Sequence, residues 1–381
     1  MNKRFQTPEE KRALWLWLAD ALGPAAVQAG DILRMYEHPQ ILFEELFTTD
    51  LSCILNPSQL RSLHAAEPED FVARLDECRQ NGVFVVCYDE DDYPALLREI
   101  PAPPPVLYYR GDITILQRCF TFAIVGARKP SAYGVEATAR IAEPLAKAGV
   151  ALISGLASGL DSEAHKIALR EKAPTVACIA FGHEHCYPGA HKKLKTLLEE
   201  HGLVIGEYPP HMPPRKDFFL QRNRLIAGLS QGICVAEAKR ASGTMNTVSA
   251  ALEYGRDVFA VPGSIFSPLS EGTNHLLAEG AQVAVCGEDI LNFYDLQPND
   301  EKQNVQTSPQ EKSEQAAGCE ESLNLSESAD AVYRAMGGQA QPLAVLCEKT
   351  GMPTAKVMAG LTELELCGLI RALPGRQYVL K

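Results

Sequence analysis

Phe122-Ala-Ile-Val-Gly126-Ala127-Arg128-Lys129-Pro130-Ser131-Ala132-Tyr133-Gly134 and, a little further on, Ala151-Leu-Ile-Ser154-Gly155-Leu-Ala-Ser158-Gly159-Leu-Asp161-Ser-Glu-Ala-His165 set the reading of this chain. Each is an apolar run followed at once by a glycine-rich turn and then a helical pattern. Strand, tight turn and helix together aim backbone N–H groups and the positive end of a helix at a phosphate. Working outwards, apolar runs keep alternating with helical stretches across 118–290. Strands are expected over 122–125, 150–154, 175–180, 203–206, 232–236, 257–261 and 281–285. Helices are expected over 135–148, 162–170, 191–201, 221–229 and 247–254. The alternation predicts an α/β domain with an extended Rossmann-like parallel sheet.

The first turn departs from the dinucleotide fingerprint Gly-x-Gly-x-x-Gly. Arg128 stands where the second glycine would let a pyrophosphate approach the backbone. A guanidinium there offers a fork of donors to a phosphate oxygen, and Ser131 can add a hydroxyl. In the second turn Ser154, Gly155, Ser158 and Gly159 are small enough to admit a ligand backbone, and Asp161 sits where a helix cap would sit. Ser154, Asp161 and His165 do not make a convincing hydrolase triad, because no nucleophile-elbow Gly-x-Ser-x-Gly precedes the helix.

Three later clusters follow strands in the same way. Phe218-Phe219-Leu-Gln-Arg222-Asn223-Arg224 places two cations and an amide at an expected helix start, with aromatics that could stack bases. Glu237-Ala-Lys239-Arg240-Ala-Ser242-Gly243-Thr244 reads as a phosphate nest. Gly263 and Ser264 sit in a further turn, after Val261-Pro262. In a parallel sheet all these turns fall at the carboxyl edge, where ligands bind. Gly126, Arg128, Ser131, Ser154, Gly155, Ser158, Gly159, Lys192, Arg222, Asn223, Arg224, Ser242, Gly243, Thr244, Gly263 and Ser264 form the expected DNA-contacting set.

The flanks read differently. Residues 1–85 are expected to be a helical domain. Trp15, Leu16, Leu18 and Leu22 give an apolar face, and Leu22-Gly23-Pro24 breaks the helix before a second one. This resembles a helix-hairpin-helix (SAM-like) module, but the glycine-rich hairpin is incomplete and a plain helical cap fits as well. The Rossmann-like domain is expected over 86–296. Residues 297–323 are poor in large apolar side chains and read as a flexible linker. Over 324–381, three helices and a hairpin spell a winged helix. Its third helix sets Lys356 against Glu363 and Glu365, a poor face for a DNA major groove.

Composition bounds the rest. The 381 residues carry a formal net charge of −12, which argues against a uniformly basic nucleic-acid binder but not against a local basic pocket. No run approaches the length of a membrane helix, so no membrane insertion is expected. The 11 cysteines are scattered without paired spacing, which points to reduced thiols in a cytoplasm. His183-Glu-His185-Cys186 is the sole metal-like cluster and lacks a second ligand pair, so neither metal nor cofactor is expected.

The order of motifs resembles the DprA (Smf) family, DNA processing protein A. The resemblance rests on Tyr93-Pro94, Pro103-Pro104-Pro105-x-Leu-Tyr108, Gly126-x-Arg128-x-x-Ser131-x-Tyr133-Gly134, and Ser154-Gly155-Leu-Ala-x-Gly159-x-Asp161. It continues through Tyr187-Pro188, Glu207-Tyr208-Pro209, Arg222-Asn223-Arg224, Ser242-Gly243-Thr244, Pro262-Gly263-Ser264 and Gly272-Thr273-Asn274. It implies a bacterial cytosolic protein, not an enzyme, that binds and protects incoming single-stranded DNA during natural transformation. It also implies loading of RecA recombinase beside single-strand-binding protein, a homodimer through the Rossmann domain, and a DNA pocket holding Gly126, Arg128 and Ser131. Ser158 stands where family members often carry Arg or Lys. Two other readings remain open. One is a Rossmann-type nucleotide hydrolase using Ser242-Gly243-Thr244 with Glu253. The other is a winged-helix transcription regulator.

Overall fold

The computed structural model describes residues 5–297, 326–336, 341–366, 370–373 and 377–380. The linker expected over 297–323 lies outside these residues except for Gln297. The chain divides into two compact units, 1–305 and 306–381.

The first unit is built on a nine-stranded sheet. In chain order the strands are β1 (Phe84–Cys87), β2 (Val106–Gly111), β3 (Thr121–Val125), β4 (Ala151–Ser154), β5 (Thr175–Cys178), β6 (Leu203–Gly206), β7 (Gly232–Val235), β8 (Asp257–Ala260) and β9 (Gln282–Val283). Their order across the sheet is β1-β2-β6-β5-β4-β3-β7-β8-β9. From β6 across to β9 every neighbour is parallel, while β2 joins β6 and β1 joins β2 antiparallel. Strand alternation explains why the inner strands are apolar throughout. On β3, Ala123 and Val125 enter the core on one face, and Phe122 and Ile124 enter the core on the other.

The chain leaves β3 for β4, β5 and β6 on one side, then returns to the other side of β3 for β7. The turns after β3, β4 and β7 therefore meet at a topological switch point, where open α/β sheets leave a crevice.

The N-terminal helices cap the antiparallel edge. The helix Pro8–Leu22 starts with a capping box between Thr7 and Glu10, with Pro8 in its first turn, and stops at Gly23, whose φ is 77°. Leu14 to Leu18 are all buried, so this helix is buried around most of its girth rather than along one stripe. Its core runs on into Val85, Cys87, Val106 and Tyr108 of β1 and β2. The boundary expected between 85 and 86 thus falls inside β1, because these strands complete the hydrophobic core that the helices begin.

The second unit has helices Glu327–Ala335, Leu343–Thr350 and Thr354–Leu366, and strands Ile370–Leu373 and Gln377–Leu380 that pair antiparallel. A short strand, Gln341–Pro342, adds to the outer side of the second. This is a winged helix, packed around Val332, Leu346, Val357, Leu361 and Tyr378. Glu363 accepts hydrogen bonds from the Ser326 N–H at 2.8 Å and from its hydroxyl, so one acid of the third helix is committed to the start of the first. The Gly337-Gly338 stop lies outside the described residues.

Candidate nucleic-acid interface

A cleft of about 990 Å³ opens at the switch point. The turn after β3 supplies Gly126, Ala127, Arg128 and Lys129, the turn after β4 supplies Ala157, and the helix Leu160–Arg170 that follows supplies Asp161. The β7 turn and its helix Gly243–Glu253 bring Lys239, Ser242, Gly243, Thr244 and Thr247. The helix Lys216–Gly228 adds Lys216, Phe219, Leu220, Arg222 and Asn223, and Ser267, Pro268 and Leu269 close one side.

Of the five cations that line this cleft, Arg222 is buried and four, Arg128, Lys129, Lys216 and Lys239, are exposed. Among the described residues none of the four has a carboxylate within salt-bridge distance. Arg128 lies over the Phe219 ring, its guanidinium carbon 5.5 Å from the centroid, and Phe219 in turn packs against Tyr187 at 5.2 Å. The N-terminus of the helix Gly243–Glu253 faces the same space. Ser242 makes no capping bond to it, and its buried hydroxyl has no hydrogen-bond partner among the described residues. Asn223 donates to the Gly243 carbonyl at 3.1 Å and Thr244 to the Gly126 carbonyl at 3.2 Å, which ties the β3 and β7 turns together.

Several expected contacts have structural duties instead. Arg222 is 2% exposed, and its guanidinium donates to the carbonyls of Gly155 and Cys178, bracing the ends of β4 and β5. Burial lowers its pKa, opposed by Asp161, and burial raises the Asp161 carboxyl, opposed by Arg222. Arg224 does not line the cleft. It donates to the Ala102 carbonyl at 2.9 Å and pairs with Glu207, whose side chain is 3% exposed. The sequence places both cations at a helix start; in the structure they lie inside a helix that already starts at Lys216.

Ser154 is fully buried and donates to the Ile124 carbonyl at 2.6 Å. Ser131 caps its helix through Gly134 N–H and gives its hydroxyl and N–H to Glu237. The helix after β3 is therefore closed to an anion, and the open helix N-terminus is the one after β7.

Two glycines read as ligand clearance make room for the protein itself. A Cβ on Gly155 would sit 2.5 Å from the Arg222 guanidinium. A Cβ on Gly159, at φ +86°, would sit 2.2 Å from the Ala127 carbonyl. Ser158 and Lys192 are exposed but do not line the cleft. Gly263 is held by the Asn274 side chain, which accepts its N–H and donates to its carbonyl, and Ser264 accepts from Phe266 N–H. These two stand beside the cleft rather than in it.

Lys216 and the 267–269 segment were not foreseen. Pro213-Pro214 just before Lys216 is a helix-start signal that would have placed that cation at a helix end. His165 and His183 lie outside the chemistry. His165 is buried against the Thr175 hydroxyl at 2.8 Å, and His183 against the Tyr108 carbonyl at 3.0 Å. Among the described residues no group of three or more metal-ligating side chains occurs, and no helix is long and apolar enough to cross a membrane.

Fold and site define a Rossmann-like protein with a cationic cleft at its switch point, followed by a winged helix. The chain belongs to the DprA (Smf) family: the family described as DNA recombination-mediator protein A matches residues 84–295, and the DprA winged helix domain matches 315–376. It is 36% identical over 291 residues to protein Smf of Escherichia coli K12, covering 75% of each chain. It is 42% identical over 207 residues to DNA processing protein DprA of Streptococcus pneumoniae R6, covering 54% of this chain and 73% of the relative. The X-ray structure of DprA from Streptococcus pneumoniae is similar at a TM-score of 0.64 and 32% identity, over 73% of this chain and 95% of that one. A Helicobacter pylori DNA processing protein A, described by its single-stranded DNA binding mode, is similar at 0.51 and 30%, over 56% and 97%.

Proposed function

We propose that the switch-point cleft binds single-stranded DNA through its phosphates, whatever the base sequence. The observation that carries this reading is the meeting of four exposed cations, without a carboxylate partner among the described residues, with an uncapped helix N-terminus, in a chain whose net charge is −12. Such a local concentration of positive charge suits a polyanion. Arg128, Lys129, Lys216 and Lys239 neutralise phosphates. The first N–H groups of the helix Gly243–Glu253 and the Ser242 hydroxyl receive a phosphate oxygen. Phe219 and Tyr187 offer ring faces to bases. The single-strand binding named for the Helicobacter pylori relative supports the same ligand.

On this reading the chain protects incoming DNA during natural transformation and passes it to RecA recombinase alongside single-strand-binding protein. It acts in the cytoplasm as a homodimer, without catalysis or cofactor. The Rossmann-like part, 86–296, carries the DNA. The 1–85 helices support it, and the 297–323 segment tethers the winged helix, 324–381, which contacts protein. The hydrolase reading loses its residue: Glu253 ends the helix whose start faces the cleft, about 15 Å along the axis. The test is binding of single- and double-stranded DNA across a salt series, with Arg128→Ala alongside. Tighter single-strand binding with a steep salt slope is expected. Equal binding of both forms, or a flat slope, would overturn the reading.

A further inference from the structure

The loop after β8 presents the two most exposed large apolar side chains of the Rossmann-like part, Ile265 at 80% and Phe266 at 90%. Isolated apolar side chains on a surface are ordinary. This pair differs in where it stands and how it is held.

Phe266 immediately precedes Ser267, Pro268 and Leu269, which line the cleft. Consecutive Cα atoms lie about 3.8 Å apart, so the Phe266 backbone stands on the cleft's rim. The loop is fastened at its start. Tyr133 donates to the Pro262 carbonyl at 2.5 Å, and the Asn274 amide clasps Gly263 on both sides. Ser264 accepts from Phe266 N–H at 3.2 Å, and the turn closes through Ser267 N–H to the Ser264 carbonyl at 3.0 Å. Among the described residues the Phe266 ring has no aromatic or cationic partner, unlike Phe219 in the cleft.

We infer that Phe266 is a stacking platform for an unpaired nucleobase of a strand entering or leaving the cleft, with Ile265 as its apolar shoulder. This rests on the single-strand reading above. Phe219 and Tyr187 offer ring faces to bases inside the cleft, but the bases just outside it face water. A ring carried on a hydrogen-bonded loop beside the cations, with no aromatic or cationic partner among the described residues, gives one of these bases a face to cover, whatever the base. Two adjacent side chains are far short of the area a stable protein–protein interface buries, about 800 Å² per partner, which favours a small flat occupant such as a base.

The test uses the full chain and a fluorescein-labelled short oligodeoxythymidylate, measured by anisotropy over a salt series. Phe266→Ala should weaken binding about tenfold with the salt slope unchanged, because stacking is lost but no phosphate contact. Arg128→Ala should lower the slope. On a strand of the same length carrying abasic sites, wild type and Phe266→Ala should bind alike. Phe266→Trp adds an exposed indole to a protein whose Trp15 and Trp17 are buried, so quenching on addition of the thymidylate would report stacking directly.

If Phe266→Ala binds as wild type and the Phe266→Trp indole is not quenched, while Arg128→Ala loses affinity, the platform is refuted and the cleft stands. If wild type binds no single strand at all, both readings fall. If Phe266→Ala lowers the molar mass seen by sedimentation, the ring belongs to a self-association face and the stacking assignment is overturned.

Discussion

Glu237 receives both donors of Ser131, the N–H at 2.9 Å and the hydroxyl at 2.6 Å, and so fills with a carboxylate the helix N-terminus that the sequence offers to a phosphate. Glu237 is 1% exposed, and its backbone carbonyl also accepts Ala127 N–H at 2.8 Å. The β7 turn thus sutures the β3 turn from within. Ser131→Ala removes a cap and one partner of a buried carboxylate. It should cost about 1–3 kcal/mol of stability in urea unfolding. The salt slope of DNA binding should stay at the wild-type value. A lowered slope would return Ser131 to the phosphate contacts.

Arg128 is exposed and bears on no packed core, so Arg128→Ala should leave the melting temperature close to wild type. Its contribution should appear as a decrease of about 0.7 in the single-strand salt slope, the share of one phosphate. Lys239→Ala should lower the slope by a similar amount, and the double variant by roughly the sum. Filter binding at several salt concentrations measures all three. An unchanged slope in both single variants would remove these side chains from the strand's path.

Arg224 and Glu207 behave as a buried pair, with side chains 14% and 3% exposed, and Glu207 also accepts Ala25 N–H at 3.0 Å. That second bond ties the N-terminal helices to the sheet. Glu207→Ala leaves a guanidinium and an N–H without their acceptor and should destabilise by about 3–5 kcal/mol. Chemical unfolding reports the loss. Near-neutral stability would show that water replaces the carboxylate.

Burial holds His165 and His183 neutral, with pKa values pushed down to about 3 from an ordinary 6.5. Each takes up a proton on unfolding when the pH is below that ordinary value. Stability is therefore full above about pH 6.5 and falls as pH drops from 6.5 towards 3. At about pH 5 each should contribute a loss of about 2 kcal/mol. Asp161, whose carboxyl burial raises, works in the opposite sense and only near the carboxylate range. Melting temperatures between neutral pH and about pH 5 test this, with His165→Asn expected to flatten the slope. A variant with the wild-type slope would show that His165 does not carry the acid sensitivity.

Local pattern was enough for the strands, the order of turns and the winged helix. An apolar run before a glycine turn has few folding solutions, and right-handed parallel crossovers bring successive turns to one edge. Local pattern also singled out Arg128, which needs only to be exposed at that edge. It could not assign Arg222, Arg224, Ser154 or Ser131, because their duties depend on partners 106 residues away for Ser131 and 67 for Arg222. Small residues likewise read alike whether the space they leave is for a ligand or for a neighbour. Packing filled the space above Gly155 with a guanidinium and closed the helix after β3 with Glu237. The open end of the cleft therefore moved to the helix after β7, where only long-range assembly brings Lys216, Lys239 and Arg128 around one unfilled helix start.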